Sequence, residues 1–168
     1  MPPYIQREYP RTALEAPIKY SRSNASEYRL ARTRNGGPGG LCFETDQRLA
    51  PEEEVCVVMD NYTPDHQGPE RYRSYITRVR WITPLAPPPH ERFVTGAQIM
   101  ACSHEVLIPT GDERCHTCDL CGALMTECQL HCTKDNAQLC GACHQHYRTI
   151  PEGKISECID RFIIGNVV

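Results

Sequence analysis

Apolar and polar positions alternate with a period of two through most of the first hundred residues, which predicts strands. Six segments carry the pattern. Residues 16–21 form the first. Residues 27–34 place Tyr28 and Leu30 on one face and Arg29 and Ala31 on the other. Leu41, Phe43 and Thr45 share a face in the third. Residues 55–59 are a short continuous apolar run, as expected of a buried strand. Residues 71–83 set Tyr75, Val79 and Trp81 against Arg78 and Arg80, and residues 92–101 complete the set. Glycine and proline clusters at 36–40 and 87–89 break the pattern into turns. No helical period lies between these segments, so a mainly β chain is predicted, folded as an antiparallel barrel or sandwich. Only near the C-terminus do apolar residues recur at helical spacing. Ile155, Cys158, Ile159, Phe162 and Ile163 predict an amphipathic helix, begun near Pro151 and ended near Gly165.

Length and composition narrow the class. A chain of 168 residues suits one domain with a small appendage. With 40% hydrophobic and 23% charged residues it can bury a core, which argues against disorder. The formal charge of −3 argues against a general polyanion binder. No apolar run approaches the roughly 20 residues that span a bilayer, and the start, MPPYIQREYPR, has no apolar signal core, so a cytoplasmic protein with reduced or metal-bound thiols is predicted. Charge is segregated: residues 1–34 hold seven basic and three acidic residues, and residues 44–70 hold eight acidic and one basic. The expected organisation is an N-terminal arm over 1–14, a barrel over 15–102, a linker over 103–114, a cysteine-rich module over 115–150 and the helix over 151–168.

Seven of the eleven cysteines fall between Cys115 and Cys143, a cluster rather than a disulfide framework. Cys118-x-x-Cys121 and Cys140-x-x-Cys143 stand 18 residues apart. Each pair brings two thiolates to one side of a tight turn, and two pairs complete a tetrahedron around zinc. Gly122 and Gly141 directly follow a ligand, where a positive φ is expected. Four thiolates close the site, so the zinc is structural. An overlapping pattern, Cys140-x-x-Cys143-His144, is that of c-type haem attachment; it requires export and leaves Cys118 and Cys121 unexplained. Cys42 and Cys56 lie in strands as core thiols. Cys102 and His104 fall at the end of the barrel, His66 and His90 in loops, and Cys115 and His116 are spare. The stretch HCTKDNAQLCGAC, residues 131–143, is similar to the B-box class of zinc finger. That resemblance implies a second, interleaved zinc on Cys132 and Asp135 with two later histidines. Those histidines are out of register here: Arg148 stands near the first position, His144 and His146 are close by, and Cys128 or His131 are substitutes.

Two features ahead of the cysteines carry a ligand signal. Arg7-Glu8-Tyr9-Pro10-Arg11 places two arginines four apart in an arm that Pro10 keeps extended. A guanidinium fork can grip a phosphate or a guanine edge. Asn35-Gly36-Gly37-Pro38-Gly39-Gly40 offers backbone N–H groups to an anion. In this order the two resemble the PilZ family, receptors for cyclic di-GMP in bacteria, whose pattern is R-x-x-x-R followed by (D/N)-x-S-x-x-G between strands of a six-stranded barrel. Arg7 and Arg11 match the first motif, Asn35 and Gly40 the ends of the second, and the resemblance spans residues 5–101. It implies that Arg7 and Arg11 fold over the nucleotide while Asn35, Gly37 and Gly40 form the floor, and that ordering of the arm is the signal to a protein partner. The family serine is replaced by Gly37, a loss of one hydrogen bond to an anionic ligand costing about 1.5–3 kcal/mol. Some members of the family have lost the nucleotide and act as adaptors, which is the competing expectation. A nucleic-acid-binding zinc protein is disfavoured, because residues 111–150 hold three basic against five acidic residues. No Ser/His/Asp set, paired carboxylate motif or Walker loop is present, so no enzymatic activity is expected.

Overall fold

The computed structural model describes residues 11–22, 27–86, 91–107, 115–151 and 153–163. The continuous apolar run becomes β5 (Glu54–Met59), buried on both faces. Val55, Val57 and Met59 enter the core. Cys56 and Val58 face the other way, yet are also buried. The chain leaving the last barrel strand covers Cys56, whose thiol donates to the Leu107 carbonyl at 3.4 Å. Such two-sided burial is why no alternation was visible there.

Five more strands complete the barrel: β2 (Pro17–Arg22), β3 (Arg29–Gly37), β4 (Gly40–Thr45), β6 (Ser74–Ala86) and β7 (Arg92–Ser103). They pair antiparallel in the order β3-β2-β5-β6-β7-β4, and β4 pairs back onto β3 to close the ring. A two-residue strand, β1 (Thr12–Ala13), adds to the far end of β3. Ile18, Tyr20, Phe43, Leu49, Val57 and Val79 fill the centre with essentially no exposure.

Two faces differ from simple alternation. In β3 the inward residues are Ala31 and Thr33, while Leu30 is 76% exposed. Thr33 is admitted because its hydroxyl accepts from the Ala16 N–H (2.9 Å) and donates to the Ala16 carbonyl (3.2 Å). In β6 the pairing with β7 slips between Val79 and Trp81. This bulge turns Trp81 outward, away from the face it was expected to share with Tyr75 and Val79. The indole lies over Gly96, where a Cβ would overlap the ring.

Asp46 pins the core from outside. It accepts from the Tyr20 hydroxyl (2.7 Å) and from Arg29 (3.0 Å). Burial alone would raise its pKa, but these two partners outweigh it and hold the carboxyl below its ordinary value. The stabilisation is therefore present above the unfolded value of about 4 and is lost as pH falls through the lower folded value. Melting temperatures taken from neutral pH down to about pH 3 should fall more steeply for the native chain than for Asp46→Asn. Parallel curves would show that Asp46 contributes nothing.

After the barrel come two short hairpins, β8 (Cys115–Thr117) with β9 (Leu124–Thr126) and β10 (His131–Cys132) with β11 (Gln138–Leu139). They lead into α1 (Gly141–Arg148), a helix not expected from the sequence, and then α2 (Lys154–Ile163). α2 lies where the C-terminal helix was expected. Ile163 packs against the cysteine cluster, but Phe162, on the predicted apolar stripe, is 70% exposed. Among the described residues no helix is long and apolar enough to cross a membrane.

Candidate functional site

The four cysteines of the paired motifs converge. The sulfur atoms of Cys118, Cys121, Cys140 and Cys143 all lie within 4.8 Å of one another. Cys121 Sγ and Cys140 Sγ are 3.8 Å apart. A tetrahedral thiolate site with metal–sulfur bonds of about 2.3 Å has edges of about 3.8 Å, so the geometry and the all-sulfur donor set suit a metal ion such as zinc. The first pair is held by the turn between β8 and β9. Cys118 N–H donates to the Ala123 carbonyl (2.9 Å), Gly122 N–H donates to the Cys118 carbonyl (2.8 Å), and Gly122 has a φ of 72°. The second pair is built differently. Cys140 is the N-cap of α1 and Cys143 lies in its first turn. Gly141 is the first helical residue and is absent from the positive-φ glycines, contrary to expectation. The helix N-terminus directs free N–H groups and positive dipole toward thiolates.

Crowding makes the cluster electrostatically incomplete on its own. Hydrogen bonds from Cys121, Cys140 and Cys143 pull the Cys118 thiol far below the usual range. Cys121 and Cys143 are pushed far up, each first by its bond with Cys118. The bond with Cys118 opposes ionisation of Cys140, but those with Cys121 and Cys143 outweigh it and lower that thiol to about 7. Two thiolates are thus favoured and two opposed, so a cation is needed to ionise all four.

The second, interleaved metal site is not assembled. Among the described residues, these four cysteines are the only group of three or more metal-ligating side chains drawn together. His131 and His144 stack face to face, with centroids 4.4 Å apart and planes 1° from parallel, so they present ring faces to each other. Cys128 is exposed and lies 3.0 Å from the Thr126 hydroxyl. Cys132 and Asp135 are exposed, and His146 lies 3.6 Å from Asp65. Because α1 begins at Gly141, His144 and His146 project from different sides of a helix. The haem pattern is disfavoured, because Cys140 and Cys143 belong to the four-sulfur cluster with Cys118 and Cys121.

The described end of the arginine arm, residues 11–14, is adjacent in space to the glycine turn. β1 pairs Thr12 with Gly36 and Ala13 with Asn35, which seats exposed Arg11 at the glycine turn. Arg7 lies outside the described residues. Asn35 pairs with Cys42 across β3 and β4, and its Oδ1 is buried with no hydrogen-bond partner among the described residues. Gly37 pairs with Gly40 at the end of the β3–β4 hairpin. Gly40 also has a purely structural reason to be glycine: a Cβ there would stand 2.7 Å from the Ala97 carbonyl oxygen of β7. At Gly36 a Cβ would stand 2.7 Å from Pro69 Cγ, so this glycine lets the β5–β6 loop close onto the turn.

Between that loop and the turn opens a cleft of about 700 Å³. Gly36, Gly37, Arg71, Tyr72, Tyr75 and Ile99 are part of its lining. Of the expected ligand residues, Gly37 is among them, but Arg11, Asn35 and Gly40 are not. Sequence reasoning did not single out Arg71 or Tyr72. It also placed His104 merely at the end of the barrel. His104 in fact sits with Nδ1 3.0 Å from the Tyr62 hydroxyl and Nε2 3.9 Å from Cys121 Sγ. Burial, then Arg71, lowers its pKa and keeps the ring neutral. These contacts join residues 17 and 42 positions apart, and no local spacing announces them.

No protein-family model and no curated protein matches the chain. Among solved structures it is similar to the K. pneumonia MrkH–c-di-GMP complex, with 12% identity and a TM-score of 0.41 over 56% of this chain and 44% of that one. It is also similar to the Bacillus subtilis inhibitor of motility MotI/DgrA, with 18% identity and a TM-score of 0.42 over 67% of this chain and 51% of that one. The chain spans about half the length of the structures it matches.

Proposed function

We propose that this chain is a receptor for cyclic di-GMP that relays ligand occupancy to a protein partner, and that it carries structural zinc on Cys118, Cys121, Cys140 and Cys143. The observation that carries the reading is the β1–β3 register. It brings Arg11 and the Asn35–Gly40 motif together, 24 residues apart in sequence, on one end of a closed barrel. Asn35 Oδ1 supports it as a buried acceptor with no donor among the described residues, and the Watson–Crick edge of guanine supplies such donors. In this reading Arg7 and Arg11 grip phosphate and base while Gly37 offers its backbone N–H. Binding and relay require no bond chemistry, so the chain acts as a receptor and not as an enzyme.

Titration calorimetry of cyclic di-GMP into zinc-loaded protein tests this directly. Micromolar or tighter binding is expected, weakened at least tenfold by Arg7→Ala/Arg11→Ala. No heat, and no competition with a labelled ligand, would sink the receptor reading. A second reading, a barrel that serves only as a protein adaptor, is favoured by one observation: Gly37 stands where the family serine would. Binding that appears only in Gly37→Ser would assign the native chain to that class.

A further inference from the structure

The cleft and the metal knuckle share a wall. Tyr72 lines the cleft, as do Gly36 and Gly37. Its hydroxyl donates to the carbonyl of Cys121, a metal-site cysteine, at 3.3 Å. Burial pushes its pKa up to about 12, so it remains a neutral donor. The ring also rests 4.9 Å from His104 and 6.0 Å, edge-on, from Tyr75. His104 in turn reaches Cys121 Sγ. Tyr72 is thus bonded directly to the backbone of the first knuckle, and His104, packed against its ring, lies beside the knuckle sulfur.

The same wall carries an uncommitted cation. Arg22, Arg29, Arg32, Arg34, Arg78, Arg80 and Arg92 all pair with carboxylates. Arg71 has no carboxylate partner among the described residues; its guanidinium lies 5.6 Å from the Tyr72 ring centroid, on the rim of the cleft. A guanidinium beside a half-buried aromatic ring, in a cleft that glycine backbone also lines, suits a ligand that is both planar and anionic.

We infer that Arg71 and Tyr72 are a wall of the ligand site, and that the metal knuckle holds this wall in position, so that nucleotide binding and metal retention reinforce each other. The inference rests on the receptor reading and extends it to residues outside both motifs. Arg71 takes a phosphate, Tyr72 faces a base, and together they stand in for the hydroxyl that Gly37 lacks. Losing the metal frees the Cys121 turn and with it the Tyr72 anchor. By linkage, a ligand held against Tyr72 slows loss of the metal by the same route.

The test uses the full zinc-loaded chain. Cyclic di-GMP is titrated calorimetrically, and zinc release to a chelating dye is timed with and without it. Arg71→Ala is expected to weaken nucleotide binding about ten- to a hundredfold. Tyr72→Phe, which keeps the ring and removes the hydroxyl, is expected to speed zinc release about three- to tenfold and to erase any protection by nucleotide. Suppose the native chain binds nucleotide, but Arg71→Ala binds equally well and zinc release responds to neither ligand nor Tyr72→Phe. The shared wall is then overturned while the receptor reading stands. Suppose instead that the native chain binds no nucleotide, yet Tyr72→Phe still releases zinc faster. The receptor reading then falls, and the tie between Tyr72 and the knuckle stands.

Discussion

Replacing Cys118 or Cys140 by Ser is expected to strip the chain of its metal and to melt residues 115–148 while the barrel remains folded. The reason is how little else holds this region together. Its buried cluster consists of Met125 and Leu139 beside the cysteines themselves. A core that small does not support itself without a staple. A structural zinc contributes about 10–16 kcal/mol of apparent binding free energy, most of which is folding free energy in such a module. Serine cannot replace the thiolate as a ligand of comparable strength. Elemental analysis should show one zinc per native chain and almost none in either variant. Limited proteolysis should then cut within 115–148 only in the variants. Fluorescence of the single tryptophan, Trp81, should report an unchanged barrel, since that side chain sits on β6 over Gly96. Because thiols release protons as metal enters, retention should also weaken as pH is lowered. A metal-free variant that keeps its proteolytic protection would show that the hairpins and α1 fold without the ion.

What the sequence showed of this site, and what it concealed, follows from the range of each interaction. Cys118-x-x-Cys121 and Cys140-x-x-Cys143 are local spacings set by turn geometry, and they identified the cluster before any fold was known. The six strands were likewise legible, because period-two burial is a local consequence of the pleat. Errors arose where a longer-range partner decided the outcome. Trp81 was assigned to the wrong face because the bulge after Val79 is a property of the β6–β7 pairing. Gly141 was given a turn geometry because a C-x-x-C motif does not say whether a hairpin or a helix N-terminus supplies it. α1 escaped notice because its eight residues carry no apolar stripe; only Cys143 is buried. Tyr72 and His104 went unrecognised for the same reason. A tyrosine beside an acidic loop and a histidine after a strand look like ordinary surface until Cys121 is placed against them.

Phe43→Ala should strike the other half of the molecule, lowering barrel stability by about 3–5 kcal/mol. Against the roughly 5–15 kcal/mol that a domain has in all, this is a large fraction. Phe43 is completely buried on β4, the strand that closes the ring. It pairs with Thr33 of β3 on one side and Thr95 of β7 on the other, both also fully buried. The upper part of the range is expected because the neighbours cannot collapse into the void. The Tyr20 ring, 6.2 Å away, is tethered by its hydroxyl to Asp46. Thr33 is fixed by its two bonds to Ala16. Denaturant unfolding should show a lower midpoint with an unchanged slope, and the melting temperature should drop by about 4–8 °C per kcal/mol. Asn35 and Cys42 pair one position along from Phe43, so nucleotide affinity measured near the melting range should fall with the fold rather than through a lost contact. Zinc content is the discriminating readout. The four sulfurs and their small cluster share no core residue with the barrel, so below the melting transition the variant should retain its metal. Simultaneous loss of zinc and of the Trp81 signal would instead make barrel and knuckle one cooperative unit. The bonds of Tyr72 and His104 to Cys121 would then be joints that bear on folding as well as on ligand binding.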